Sequence, residues 1–195
     1  MSYYIMEFVD ADGCDYMNFE FSENCEAFNN ADRNIVFPKN EKIKLKERKV
    51  TAINFDFYGL EFYIASDRFL SLCDNFDIPY ISEKCTILFK GNEFKNFYFF
   101  SPKNRCSIID EGKSIFEVDE FSTDTKYKHY SLIEKLVPRK NLNQKLFYCT
   151  DIDRIVCADL FRESASKDIK NIKFTKIDNY IYDPFHKYSG KFGNL

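Results

Sequence analysis

Leu60-Glu61-Phe62-Tyr63-Ile64-Ala65-Ser66-Asp67, followed by Phe69, Leu72, Cys73 and Phe76, is the stretch whose reading decides the fold class. Its first half is a run of aromatic and aliphatic side chains that predicts a strand, and Ser66 with Asp67 supplies the hydroxyl and carboxylate that cap a helix N-terminus. The apolar side chains at 69, 72, 73 and 76 recur at helical spacing, so a short amphipathic helix follows. Asp77-Ile78-Pro79 ends it, because proline offers no amide hydrogen and disfavours helical geometry in the residue before it. The chain then resumes as an extended segment towards Ile87-Leu88-Phe89, which completes a strand, short helix, strand unit.

The same logic recurs at Leu146-Phe147-Tyr148-Cys149-Thr150-Asp151, which predicts a second strand and cap. A helix from about Asp153 would carry Ile155, Val156 and Leu160, and Ile172-Lys173-Phe174-Thr175-Lys176-Ile177 would return as a strand. Two copies are too few for a solenoid and point to equivalent elements of one sheet. Between them, Phe97-Tyr98-Phe99-Phe100 is too apolar for an exposed strand and reads as a buried one. The fold class expected is α+β, with a mixed or largely antiparallel sheet and two principal short helices following strand–Ser/Thr-Asp caps. One domain is expected over 1–195: a strand-rich opening over 1–59, acidic then basic, the two units over 60–180, and a fraying Pro- and Gly-containing tail over 181–195.

Composition agrees with a packed, strand-rich core. Of 195 residues 45% are apolar, and 22 Phe with 13 Tyr supply the rings without any Trp, against only 6 Gly and 5 Pro. Whole-chain disorder is excluded. Seven cysteines, odd in number and irregular in spacing, with no signal peptide before them, fit a reducing cytoplasm. No apolar run approaches the roughly 18 residues of a membrane-spanning helix, so no membrane insertion is expected.

Charge is uneven along the chain. Residues 1–32 carry eight carboxylates and no Lys or Arg, so −8 of charge stands against a formal total of −3. Within that stretch Tyr16-Met17-Asn18-Phe19-Glu20-Phe21 alternates apolar and polar side chains, the period of a half-buried strand with an acidic outer face. A basic stretch from Lys39 to Lys49 follows, alternating around Ile43 and Leu45. With no aromatic among its charges, it reads as a lysine-protected edge strand in preference to a nucleic-acid patch, and no nucleic-acid partner is expected.

Catalytic and ligand-binding signatures are sparse. There is no C-x-x-C, no H-E-x-x-H and only two histidines, so neither a metal nor another cofactor is expected. Ser189-Gly190-Lys191 lacks the spacing of a phosphate loop, and G-x-S-x-G is absent. A cysteine-dependent hydrolase would have to combine Cys149 with Asp151 and His129 in space. Against it stands the ordinary behaviour of a thiol in a core strand, which is that of a small hydrophobe. The carboxylate pairs Asp119-Glu120 and Asp151-Asp153 read as turns and helix caps.

Tyr3-Tyr4-Ile5-Met6, Ile64-Ala65-Ser66-Asp67-Arg68-Phe69, Asn104-Arg105-Cys106-Ser107-Ile108-Ile109-Asp110 with Lys113-Ser114, and Leu146-Phe147-Tyr148-Cys149-Thr150-Asp151, in this order, resemble the immunity-protein-eleven family of bacterial polymorphic toxin systems. The resemblance runs from about residue 3 to about residue 177. It implies a non-catalytic cytoplasmic protein, encoded beside a toxin, that binds the toxin's C-terminal domain and occludes its active site or blocks a motion it needs. The acidic opening is compatible: Asp10, Asp12, Asp15, Glu20, Glu23 and Glu26 would meet a basic cleft, with Tyr16 and Phe19, and also Phe21 and Phe28, as aromatic anchors. The same segment also reads as a solvated acidic face without a partner.

Overall fold

The computed structural model describes residues 2–9, 17–22, 35–46, 52–59, 62–120 and 128–182. Within them, the strands of the first half are β1 (Tyr3–Phe8), β2 (Phe19–Glu20), β3 (Glu41–Leu45), β4 (Phe57–Gly59), β5 (Tyr63–Ser66), β6 (Tyr80–Phe89) and β7 (Asn92–Pro102). Helix α1 (Asp67–Asn75) joins β5 to β6. The second half supplies β8 (Arg105–Cys106), β9 (Ile115–Val118), β10 (Tyr130–Lys135), β11 (Leu146–Cys149), β12 (Arg154–Ala158), helix α2 (Asp159–Asp168) and β13 (Ile172–Lys176). The class is α+β, in mixed and antiparallel sheets.

Six strands form one sheet in the order β2-β3-β6-β7-β5-β4, five form another in the order β13-β1-β12-β11-β8, and β10 pairs β9 in a small ribbon. The two larger sheets share a plan. In the first, β5 and β6 both run antiparallel to β7, which lies between them, and α1 carries the chain across. In the second, β12 and β13 both run antiparallel to β1, and α2 makes the crossing. Each is a split β-α-β unit. An antiparallel hairpin partner flanks the strand before each helix, β4 beside β5 and β11 beside β12. The middle strand differs in origin: β7 follows β6 directly, whereas β1 comes from the N-terminal end of the sequence.

The first unit begins where the sequence places it. Ser66 is the N-cap of α1 and accepts from the Phe69 amide, and the helix stops four residues before Pro79, with Asp77 in the left-handed region at φ 53°. The second helix corrects the expectation. Asp151 and Asp153 lie in a tight turn between β11 and β12, with Asp153 at φ 52°, and Ile155 and Val156 belong to β12. Helix α2 starts at Asp159 with Ala158 as its N-cap and no side-chain cap bond. The structural counterpart of Ser66-Asp67-Arg68-Phe69 is therefore Ala158-Asp159-Leu160-Phe161. The β-branched pair Ile155-Val156 favours the strand, and a turn directly after β11 lets that strand pair back on it.

Both helices sit in a central core between the sheets. Phe69 and Leu72 from α1 and Phe161 and Ala165 from α2 join Phe57, Phe100, Ile155 and Cys157 there. Phe161 stands edge-on to Phe69 at 6.1 Å and to Phe76 at 5.3 Å. Strand β7 is buried as expected, with Phe97 and Phe99 in a second core on the outer face of the six-stranded sheet and Phe100 in the central one. A third core lies behind the five-stranded sheet, around Ile5, Phe147, Cys149 and Val156. Of the tail, Tyr182 exchanges backbone hydrogen bonds with Ile133, and 183–195 fall outside the described residues.

Candidate functional site

The acidic opening is described over 2–9, where β1 carries Glu7, and over 17–22. Asp10, Asp12, Asp15, Tyr16, Glu23, Glu26 and Phe28 lie outside the described residues, and Phe19 and Glu20 form β2, the outermost strand of the six-stranded sheet. Its period-two pattern is obeyed: Met17 is buried, Phe19 and Phe21 are half-buried, and Asn18, Glu20 and Ser22 point outward. Glu20 pairs with Lys46 at 2.7 Å, and that hydrogen bond holds the Glu20 carboxyl below its ordinary range.

Phe19 and Phe21 are not the exposed anchors expected of them. Phe19 packs edge-on against Tyr58 at 5.0 Å and Phe62 at 5.9 Å, and Phe21 against Phe62 at 4.9 Å. Alternation turns both rings onto the apolar face of the sheet, where removal from water outweighs exposure to a partner.

The basic stretch is likewise displaced from its expected position. Strand β3 is not an edge; β2 pairs with it antiparallel on one side and β6 parallel on the other. Ile43 and Leu45 are buried while Lys42, Lys44 and Lys46 face solvent. The alternation was legible, but it reports a face and not a neighbour. Lys42 pairs with Glu93 at 2.8 Å, and Glu93 also meets Lys95 at 3.1 Å. Buried Glu41 accepts from both the backbone amide (2.7 Å) and hydroxyl (2.9 Å) of Ser22, fastening the end of β2 to the sheet.

Cys149, the candidate nucleophile, is fully buried, and burial followed by the neighbouring Asp151 carboxylate pushes its thiol well above the ordinary range. A reactive thiolate needs the opposite environment. Asp151 is occupied structurally: its Oδ2 accepts the amides of Ile108 at 2.7 Å and Ile109 at 3.0 Å, with the Cys149 Sγ at 4.0 Å. Burial raises the Asp151 carboxyl, against the lowering effect of those two amides. His129 stands at the entry to β10, where its carbonyl accepts from the Asp119 amide. Asp153 accepts from the Tyr148 hydroxyl at 3.1 Å within the hairpin turn.

The segment from Asp110 to Ser114 also serves the fold. Asp110 is ion-paired with Lys113, and the Ser114 hydroxyl accepts from the Val137 amide at 2.9 Å and faces its carbonyl at 3.3 Å. Just beyond lies β9, paired only by β10 among the described residues, with Ile115 and Val118 exposed by 53% and 39%.

Two polar joints gave no local sequence signal. Asp56, 7% exposed, accepts from the Ser66 hydroxyl at 2.7 Å and the Lys170 amide at 2.9 Å, tying the start of α1 to the loop after α2. Arg68 extends this joint to the Asp168 carbonyl at 3.3 Å. Arg139 donates to the Ile109 carbonyl at 2.7 Å and the Ser107 hydroxyl at 3.2 Å, beside Asp151. Both link residues far apart in the chain, so only an alignment of many sequences would have exposed them.

No known protein family and no characterised protein matches this chain. Among the described residues, no group of three or more His, Cys, Asp or Glu is placed to hold a metal ion, and no helix is long and apolar enough to cross a membrane.

Proposed function

We propose that this chain is an immunity protein that binds the C-terminal domain of a cognate bacterial toxin, encoded by the neighbouring gene, and occludes its active site in the cytoplasm. One observation carries the reading. Of the acidic opening, Glu20 lies on the outward face of β2, the outermost strand of the six-stranded sheet, a border that a partner can approach. The motif order that resembles the immunity-protein-eleven family supplies the partner class. Toxins that act on nucleic acids carry basic clefts, and an acidic border complements such a cleft, raising the association rate and partner selectivity.

In this reading the partner-facing groups are Asp10, Asp12, Asp15, Glu20, Glu23 and Glu26 with Tyr16, while Phe19 and Phe21 hold the segment to the sheet. The protein acts by steric cover and uses no catalytic group or cofactor of its own. The test is association kinetics with the neighbour-encoded toxin domain, comparing the wild type with a variant reversing Asp10, Asp12, Asp15 and Glu20 to Lys. The reversal should slow association by about 10-fold or more at low salt, the difference closing as salt rises. An unchanged association rate would remove the acidic border from the mechanism.

A further inference from the structure

We infer that Cys106 and Cys149 form a reversible thiol–disulfide switch that staples β8 to β11. The two residues are directly registered in the parallel pairing of these strands, with Tyr148 opposite Arg105 and Cys149 opposite Cys106. Registered residues of a parallel pair point to the same face, and here both thiols belong to the third core, Cys149 inside it and Cys106 packed at its margin. Both are free. The other described cysteines, Cys73, Cys85 and Cys157, have no cysteine in register with them. Adjacent strands lie about 4.8 Å apart, at the short end of the Cα separations that a disulfide spans. A bridge at that spacing needs no large backbone shift, and thiol exchange can form and break it.

The exposures of the two thiols define the order of events. Cys106 is partly exposed and Cys149 fully buried. The oxidant is a low-molecular-weight disulfide such as oxidised glutathione. Burial, and then the Asp151 carboxylate, raise the Cys106 thiol to about 11, so a small thiolate fraction makes the attack on one of the oxidant's sulfurs, forming a mixed disulfide and releasing one small thiolate, which takes up the proton that Cys106 lost. The mixed disulfide holds its sulfur beside Cys149, whose thiol, raised by burial, gives up its proton as it attacks the Cys106 sulfur, and the second small thiolate leaves with that proton. One protein S–S bond replaces two S–H bonds, and the small disulfide is reduced to two thiols.

The bridge would fix the least extensive pairing of the five-stranded sheet. Strand β8 contributes two residues, held by the Asn104 carbonyl to the Tyr148 amide at 2.9 Å and the Cys106 carbonyl to the Thr150 amide at 3.2 Å. Closing the intervening loop of about 40 residues constrains the unfolded chain and should raise the melting temperature by about 5–10 °C.

The experiment exposes the native full-length chain to excess oxidised glutathione, quenches with an alkylating agent, and maps disulfides by peptide mass spectrometry. The expected result is a Cys106–Cys149 linked peptide, reversed by dithiothreitol, with the melting temperature following. In Cys149→Ala the reaction should stop at a stable glutathione adduct on Cys106, and in Cys106→Ser neither adduct nor bridge should form at Cys149. Because each variant is read by chemistry on folded protein, the two patterns distinguish a switch from a loss of folding. A persistent glutathione adduct on wild-type Cys106, a bridge to another cysteine, or full alkylation of both thiols after oxidation overturns the proposal.

Discussion

Truncating Phe161 to Ala tests whether the two split β-α-β units share one core. Phe161 is fully buried on α2 and stands edge-on to Phe69 and Phe76 of the other unit's helix region. Removing a buried phenylalanine ring costs about 3–5 kcal/mol, and its two ring partners belong to the opposite unit, which places the expected loss near 4 kcal/mol. Against a total of about 5–15 kcal/mol this is a large fraction. With a urea dependence of about 2 kcal/mol per molar, the unfolding midpoint should fall by about 2 M with its slope unchanged. The neighbouring Leu160, 65% exposed, is the control, and Leu160→Ala should move stability by less than about 0.5 kcal/mol. Hydrogen exchange supplies the decisive detail: the amides of β5 and β7 should lose protection together with those of β1 and β12. Loss confined to β1, β12 and β13, or two separate urea transitions, would refute the shared core.

Ser66→Ala removes both the α1 cap at the Phe69 amide and the hydrogen bond to buried Asp56, and should cost about 1–3 kcal/mol in chemical denaturation; a loss below about 0.5 kcal/mol would show that the Asp56 joint is dispensable. Asp151→Ala leaves the Ile108 and Ile109 amides without their acceptor and should cost about 2–4 kcal/mol by the same measurement, whereas Asp151→Asn keeps an oxygen for them. Because burial raises the Asp151 carboxyl in the folded state, its contribution is fully present below the ordinary carboxylate range and is lost as pH rises through the raised value. Asp151→Asn should therefore gain on the wild type as pH rises above the ordinary carboxylate range of about 4, and a pH-independent difference in stability would contradict this. Gly59→Ala would set a Cβ on the buried Tyr63 ring, which is itself stacked on Phe57; a melting-temperature drop equivalent to about 1–3 kcal/mol is expected, and an unshifted melt would mean that the ring moves freely.

What the sequence disclosed was local chemistry. Strand, Ser66 cap, helix and Pro79 stop sit within twenty residues of one another, and each signal acts on its immediate neighbours, so the first unit was legible. The second departs from expectation at one point, because Thr150-Asp151 has the composition of a cap but lies in the hairpin turn between β11 and β12. The Asp151 carboxylate instead serves amides at 108 and 109, a use set by the sheet and invisible in the hairpin's own residues. The true counterpart of the Ser66 cap is Ala158, which offers no side-chain oxygen and so no signal. For the candidate site the alternation over 16–21 revealed a face, but which face was buried depended on Tyr58 and Phe62 arriving from elsewhere in the chain. That is why Phe19 reads as an anchor in the sequence and packs, half-buried, against the second core. The same limit applies to β3, whose lysine alternation is identical whether the strand lies at an edge or between β2 and β6.

The immunity reading is tested most directly by co-expressing this chain with the C-terminal toxin domain encoded by the neighbouring gene, scoring survival and co-purifying the two proteins in the same experiment. The account predicts that cells expressing the toxin domain alone die, that cells expressing both survive, and that a stable complex is recovered. Death of the doubly expressing cells, with this chain soluble and no complex formed, would contradict it.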